Sequence, residues 1–368
     1  MGFSLVCTRC AINSPASGWR WQHACGGPLD IIHDVRGQWL PGRGADRPLD
    51  MTRYRELLPV TEPPPVHVGW TPVFSHAVAG CRVQFKLEYL SVGGSFKDRG
   101  AYVALARAKE LGARRVVIDS SGNAAISHAL FGPPFGIDVD VYLPAEVPEG
   151  KRSVLHLLRA RVHEVEGDRM ETNRCALAAE RDDVLYVGHW WNPYFIDGVK
   201  TIAYEAVEQC GGFDAVIVPV GAGTLLLGIH KGCRELVQMG AIARMPRFIG
   251  VQPVGYTPVA AAFERTAQAG KGSTLADGIA IADPPRRAQI VAAIRETDGS
   301  AVTVSDEDVR RALDTLIGMG FMVEPTAAVN YAGLHKAVSK GSIAEGSMIL
   351  LPLTGSGLKV AAELVALR

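Results

Sequence analysis

The 368 residues, 48% hydrophobic and 21% charged, make an ordinary globular chain long enough for two domains with sizeable cores. Thirty-eight Lys and Arg balance thirty-eight Asp and Glu, which leaves no basic footprint for nucleic acid or an anionic membrane. No run of about 18 apolar residues is present to span a bilayer, the first residues lack a signal-peptide pattern, and seven cysteines build no disulfide framework, so the chain is expected in the reducing cytoplasm.

Residues 1–60 are rich in Gly, Pro, Arg and Trp, show little periodicity, and read as a ribbon-like segment of their own. Cys7 and Cys10 stand in CxxC spacing, and His23 and Cys25 arrive together later. A zinc ribbon favours two tight pairs, because four tetrahedral ligands come most easily from two turns. Cys7, Cys10, His23 and Cys25 are therefore candidate zinc ligands, although the second pair departs from CxxC and a ribbon with free thiols fits the same residues. Pro63, Pro64 and Pro65 then read as a linker.

From about residue 70 onward, short β-branched runs alternate with amphipathic segments. The runs at 115–118, 139–143, 184–187, 215–219, 248–252 and 348–353 predict strands, and the segments 100–111, 151–159, 199–209 and 306–319 predict helices. Ser305, ahead of Asp306, Glu307 and Asp308, predicts an N-cap with an acidic first turn. Alternation of this kind implies βαβ units and mostly parallel sheets.

The most informative stretch is GGSFKDRG at 93–100. Ser95 followed three residues later by Asp98 reads as a capping box, which puts Lys97 in the first turn of a helix. The helix's positive end disfavours a second positive charge there and lowers the cost of a neutral amine. A neutral lysine amine condenses with an aldehyde, and pyridoxal phosphate is the cofactor that offers one. An ordinary helix start with a solvated lysine has the same local signature.

Three strand-to-helix junctions carry further candidates, and parallel sheets bind ligands at the carboxyl ends of their strands. In VVIDSSGNAA, residues Ser120, Ser121, Gly122 and Asn123 offer hydroxyls, backbone N–H groups and an amide, suited to a substrate carboxylate and a phenolic oxygen. In VIVPVGAGTLLLG, residues Gly221, Ala222, Gly223 and Thr224 allow several N–H groups to converge on one phosphate. This loop matches neither the dinucleotide fingerprint nor the Walker pattern. In MILLPLTGSGLK, Thr354 offers a neutral hydroxyl to a pyridine nitrogen, which suits elimination and replacement chemistry. Each junction also reads as a well-made turn.

Together, GGSFKDRG, DSSGNAA, NPYFIDGVKTIAYE, PVGAGTLLLG, ADGIAI and LTGSGLK resemble, in order and spacing, the pyridoxal-phosphate enzymes of fold type II (tryptophan synthase β-like). The resemblance runs from about residue 69 to the end and is nearest the threonine synthase group; the cysteine-bearing start is similar to the ribbon of some members. It implies a two-domain α/β fold with mostly parallel open sheets flanked by helices and the cofactor in the interdomain cleft. Residues 61–98 plus 190–368 would form the large cofactor-binding domain, and 99–189 the small mobile one. Lys97 would hold the cofactor and act as base, Asn123 would contact its phenolic oxygen, and Gly221, Ala222, Gly223 and Thr224 its phosphate. Thr354 would face its ring nitrogen, and Ser120, Ser121, Gly122 and Asn123 would receive the carboxylate of an amino-acid substrate.

The resemblance further implies a homodimer that removes a Cβ or Cγ leaving group, as in the conversion of O-phosphohomoserine to threonine. The alternative is a threonine or serine dehydratase-type ammonia-lyase, or a β-replacement synthase of a specialised pathway. Ala124, Phe195 and Ala222 occupy positions where threonine synthases tend to carry Thr, Arg and Asn. A charge-assisted bond to phosphate contributes about 1.5–3 kcal/mol, so the loss of several would weaken a phosphorylated substrate by orders of magnitude.

Overall fold

The computed structural model describes residues 2–36, 47–61, 66–146, 149–167, 169–266, 272 and 274–367. The linker expected at 63–65 lies outside the described residues. In chain order, β1 (Phe3–Cys7), β2 (Asn13–Ser14) and β3 (Leu29–His33) precede the hairpin strands β4 (Val73–Val78) and β5 (Cys81–Lys86). Then come α1 (Lys97–Glu110), β6 (Arg115–Asp119), α2 (Asn123–Phe135), β7 (Asp138–Pro144), α3 (Glu149–Leu157), β8 (Arg161–Val165), α4 (Arg169–Ala178) and β9 (Val184–Tyr186). After α5 (Pro193–Val199) and α6 (Thr201–Cys210), the chain forms β10 (Ala215–Pro219), α7 (Thr224–Gln238), β11 (Arg247–Pro253), α8 (Pro258–Glu264) and α9 (Arg287–Glu296). It ends with β12 (Ser300–Val304), α10 (Asp306–Gly318), α11 (Pro325–Ser339), β13 (Met348–Pro352) and α12 (Ala361–Ala366). Among the described residues no helix is long and apolar enough to cross a membrane.

Two compact units divide the described residues. The first holds those within Met1–Gln38, Asp46–Val68 and Lys97–Val199. Its four-stranded sheet, ordered β8-β7-β6-β9, is wholly parallel. The chain leaves β6 for β7 and β8 on one side, then returns to place β9 on the other, so the carboxyl ends of β6 and β9 meet at the switch point where parallel sheets bind ligands. A second, antiparallel sheet, β2-β1-β3, belongs to the same unit and buries Leu5, Cys7, Leu29 and Ile31.

The second unit holds those within Gly69–Phe96 and Lys200–Arg368. Its sheet runs β12-β11-β10-β13-β5-β4, parallel except for the edge strand β4. Every residue of β10 (AVIVP) is buried, as a central strand covered on both faces requires. Helix α10 opens with the capping box expected at Ser305, closed reciprocally by Asp308. The β4–β5 hairpin turns through Ala79 and Gly80, both at positive φ, the backbone of a two-residue type I′ turn.

The sequence places boundaries at 98/99 and 189/190, whereas the units divide after Phe96 and after Val199. Helix α5 accounts for the second difference, because it packs on α1 almost backbone to backbone. A Cβ on Gly100 would overlap the Phe195 ring, and one on Gly198 would overlap the carbonyl of Arg99.

Candidate active site

In the first unit, Lys97 opens α1 and is half-buried. Its Nζ stands 5.6 Å from the centre of the Phe195 ring. The expected capping box around it does not form. Ser95 is held extended by a bridge to Gly355 and its Oγ is buried without a hydrogen-bond partner, while the Asp98 carboxylate accepts from Ser127 Oγ at 2.6 Å.

Ser120, Ser121, Gly122 and Asn123 follow the carboxyl end of β6, with Gly122 as the N-cap of α2 and Asn123 as its first residue. Ser120 Oγ accepts from the Gly122 N–H at 3.4 Å. Backbone N–H groups at this helix start have no intrahelical partner, and the helix dipole favours an anion there. Across the switch point, the chain leaving β9 carries His189, Trp190, Trp191 and Asn192. Asn192 Oδ1 accepts from the N–H groups of Tyr194 and Phe195 at 2.9 and 3.3 Å, which starts α5 and fixes the Phe195 ring.

His128 is the residue of this site that sequence reasoning missed. It lies on α2, buried, with its ring stacked on Phe195 at 6.1 Å and 16°. Its Nδ1 donates to the Ala124 carbonyl at 2.7 Å, and its Nε2 is buried without a partner. Burial, outweighing the bond to Ala124, and the nearby charge of Lys97 push its pKa down to about 4, so it is neutral at physiological pH. Its position five residues after Asn123 in an apolar helix gives no sequence signal; only the packing of α2 against Phe195 exposes it. Ala124 and Phe195, two positions expected to bear on phosphate recognition, are buried and apolar.

In the second unit, β10 and β13 are neighbours, so the loops after both emerge side by side at that sheet's own switch point. Gly221, Ala222, Gly223 and Thr224 are all buried between β10 and α7. A Cβ on Gly221 would lie 2.9 Å from the Ile279 Cα, and Gly223, the N-cap of α7, has φ +85°. Only glycine meets both demands without strain, and the result is a ring of N–H groups at a helix N-terminus. Gln252 braces the loop, donating to the Val220 carbonyl at 3.1 Å and accepting from Val259 and Ala260.

Thr354, after β13, accepts from the Phe96 N–H at 3.1 Å through its carbonyl, while its Oγ1 is buried without a partner. Lys359 Nζ donates to the carbonyls of Gly93 and Gly94 at 3.2 and 2.9 Å, which shapes the glycine turn ahead of Phe96. Lys200 is bound to Glu235 at 3.1 Å in the core and Arg265 is exposed at the end of α8. Neither residue adjoins these loops in sequence.

At the N-terminus, one donor atom each from Cys7, Cys10, His23 and Cys25 lie within 4.8 Å of one another. Burial raises the Cys7 thiol, but hydrogen bonds from the backbone N–H groups of Cys10 and Arg9 and from the neighbouring thiols outweigh it and hold its pKa at about 7.

Residues 65–355 match the family described as pyridoxal-phosphate dependent enzyme, and the chain belongs to that family. It is a lyase that resembles the threonine synthases. Its threonine synthase relative from Methanosarcina acetivorans is 31% identical over 350 residues, spanning 91% of this chain and 86% of that protein. The fold is that of maize serine racemase, with a TM-score of 0.70 at 23% identity over 81% of this chain and 91% of that one. Threonine deaminase isoform 2 of Solanum lycopersicum gives a TM-score of 0.66 at 26% identity over 77% of this chain and 83% of that one.

Each unit fits the family's cofactor on its own residues. The cradle at 221–224 suits a monophosphate, and the unpartnered Oγ1 of Thr354 suits a polar ring atom. Lys97 supplies the amine that an aldehyde needs.

Proposed function

We propose that the enzyme eliminates a leaving group from Cβ or Cγ of an amino acid, with O-phosphohomoserine converted to threonine as the first reading. The observation that carries it is the similarity to a threonine synthase along 91% of the chain. Bound pyridoxal phosphate supplies a sink for negative charge at the substrate α-carbon. Lys97 Nζ would hold the cofactor aldehyde in the resting enzyme and, once the substrate amine has taken its place, would be free to move the α-proton. The N–H groups and hydroxyls at Ser120, Ser121, Gly122 and Asn123 would take the substrate carboxylate, while the Asn123 amide would bond the cofactor's phenolic oxygen. Gly221, Ala222, Gly223 and Thr224 would hold the cofactor phosphate, and the Thr354 hydroxyl would be the partner of its ring nitrogen. A neutral hydroxyl there would not hold a proton on that nitrogen as a carboxylate would, which would favour elimination and replacement.

The apolar side chains of Ala124, Phe195 and Ala222 favour a second reading, an ammonia-lyase acting on threonine or serine, or a β-replacement synthase. None of the three offers a donor to a substrate phosphate, and a buried phosphate without donors is strongly disfavoured. The reading also takes 61–98 plus 190–368 as the cofactor-binding domain, 99–189 as a domain that moves on substrate binding, and the enzyme as a cytoplasmic homodimer.

The deciding experiment incubates the cofactor-loaded enzyme with O-phospho-L-homoserine and, separately, with L-threonine and L-serine. Phosphate release with threonine formation supports the first reading. Inert phosphohomoserine together with ammonia and a keto acid from threonine or serine overturns it in favour of the second. Light scattering at a mass twice that of the chain is expected for the dimer.

A further inference from the structure

We propose that Cys7, Cys10, His23 and Cys25 bind one structural zinc ion, which fastens the N-terminal sheet as a backing for α5. Cys7 Sγ and Cys25 Sγ are 3.5 Å apart, Cys10 Sγ and Cys25 Sγ 3.7 Å, Cys10 Sγ and His23 Nδ1 3.5 Å, and His23 Nδ1 and Cys25 Sγ 3.1 Å. A tetrahedral zinc with bonds of about 2.0–2.3 Å has ligand-to-ligand edges of about 3.5–3.8 Å, and these four separations lie within about half an ångström of that range. The sulfur separations are far beyond the about 2.05 Å of a disulfide.

The backbone is shaped for the same purpose. Ala11 N–H returns to the Cys7 carbonyl at 2.9 Å, and Gly26 N–H returns to the His23 carbonyl at 2.8 Å, forming two tight turns that present the ligands. A Cβ on Gly27 would lie 2.7 Å from Cys7 Sγ and 3.3 Å from Cys25 Sγ, so a side chain there would press into the ligand cluster. All four ligands come from protein, which closes the coordination shell and marks a structural site rather than a catalytic one. On binding, the three thiols release their protons to solvent and the imidazole gives a lone pair. The complex carries a net single negative charge and nothing is oxidised or reduced.

The loop closed between Cys10 and His23 carries Trp19 and Trp21. Trp19 stacks on Tyr194 at 5.2 Å and 18°, and its Nε1 donates to the Tyr186 carbonyl at 3.0 Å. Trp21 donates to Glu180 at 3.0 Å and packs edge-on against Tyr186 and Trp191. Tyr194 directly precedes Phe195, beside Lys97. The ribbon strands are two to five residues long, and so small an element needs a staple to hold its shape. Zinc thus positions α5 through Trp19 and Tyr194, without touching substrate.

The test is elemental analysis of the full-length protein produced with added zinc and purified without chelator, followed by cobalt(II) exchange. About one zinc per chain is expected, with cobalt giving the intense visible bands of a tetrahedral thiolate site. Cys10→Ser and Cys25→Ser should each lower zinc content at least about tenfold, while Cys175→Ser leaves it unchanged. Chelation should alter the near-ultraviolet circular dichroism of Trp19 and Trp21 and lower the Tm. Absence of zinc from the wild-type protein, or full zinc retention by both ligand variants, overturns the site. An unchanged near-ultraviolet spectrum after the metal is removed overturns its link to α5.

Discussion

Lys97 Nζ rests 5.6 Å from the centre of the Phe195 ring, so the amine assigned to the chemistry stands over an aromatic face. That ring is held by Asn192 at its backbone, by His128 on one face and by the absence of a side chain at Gly100. Phe195→Leu removes the aromatic face while keeping most of the volume. It should lower stability by about 1–1.5 kcal/mol and slow turnover about 2–10-fold through looser placement of the amine. Thermal unfolding and steady-state kinetics check both numbers, and the Lys97 cofactor absorbance should remain.

The cradle at 221–224 depends on backbone approach, so adding single methyl groups tests it sharply. Gly223→Ala forces a side chain into φ +85° and against Ile290, and Gly221→Ala presses on the Ile279 backbone. Each should weaken pyridoxal phosphate binding at least about tenfold, equivalent to 1.4 kcal/mol, measured by fluorescence titration of the cofactor-free protein.

His128 makes stability depend on acid in a defined direction. Its folded pKa is about 4 against an ordinary 6.5, so the unfolded chain takes up a proton that the folded one refuses. The contribution is fully present above pH 6.5 and is lost as pH falls from 6.5 toward 4, to an extent of the order of 3 kcal/mol. His128→Asn, which can still donate to the Ala124 carbonyl, should flatten that part of the curve in urea unfolding measured from pH 7 to 4. Nuclear magnetic resonance titration of the wild-type ring checks the pKa directly.

Lys86 and Glu205 form a fully buried pair at 2.9 Å, and Lys86 Nζ also donates to the Thr71 carbonyl at 2.6 Å and to Gln209 at 2.8 Å. Lys86→Met removes the ammonium group bound to the buried Glu205 carboxylate and should cost about 3–5 kcal/mol. The double variant Lys86→Met with Glu205→Leu should recover most of that loss in urea unfolding, because the penalty lies in keeping the Glu205 charge buried once Lys86 is gone.

The parts of this enzyme written most plainly in its sequence are those whose chemistry needs particular backbones. The apolar runs of β10 and β13 identify buried parallel strands, and the glycines and hydroxyls after β6, β10 and β13 mark the loops at their carboxyl ends. Ser305 read correctly as a cap because its partner Asp308 lies three residues away. Ser95 did not, because its bridge to Gly355 is long-range and holds the chain extended where a local pattern predicts a cap. The β4–β5 hairpin leaves little mark in the sequence, since β4 is a largely exposed edge strand without clear alternation and its turn uses Ala79 in place of Asn or Asp. His128 and the Phe195 ring required the packing of α1, α2 and α5, information that no single segment carries.

Reduction of the cofactor-loaded enzyme with borohydride, followed by peptide mass spectrometry, tests the central assignment most directly. The account predicts a pyridoxyl label on Lys97 alone, with no label in Lys97→Ala. A label on Lys86, Lys200 or any other lysine, with Lys97 unmodified, would contradict it.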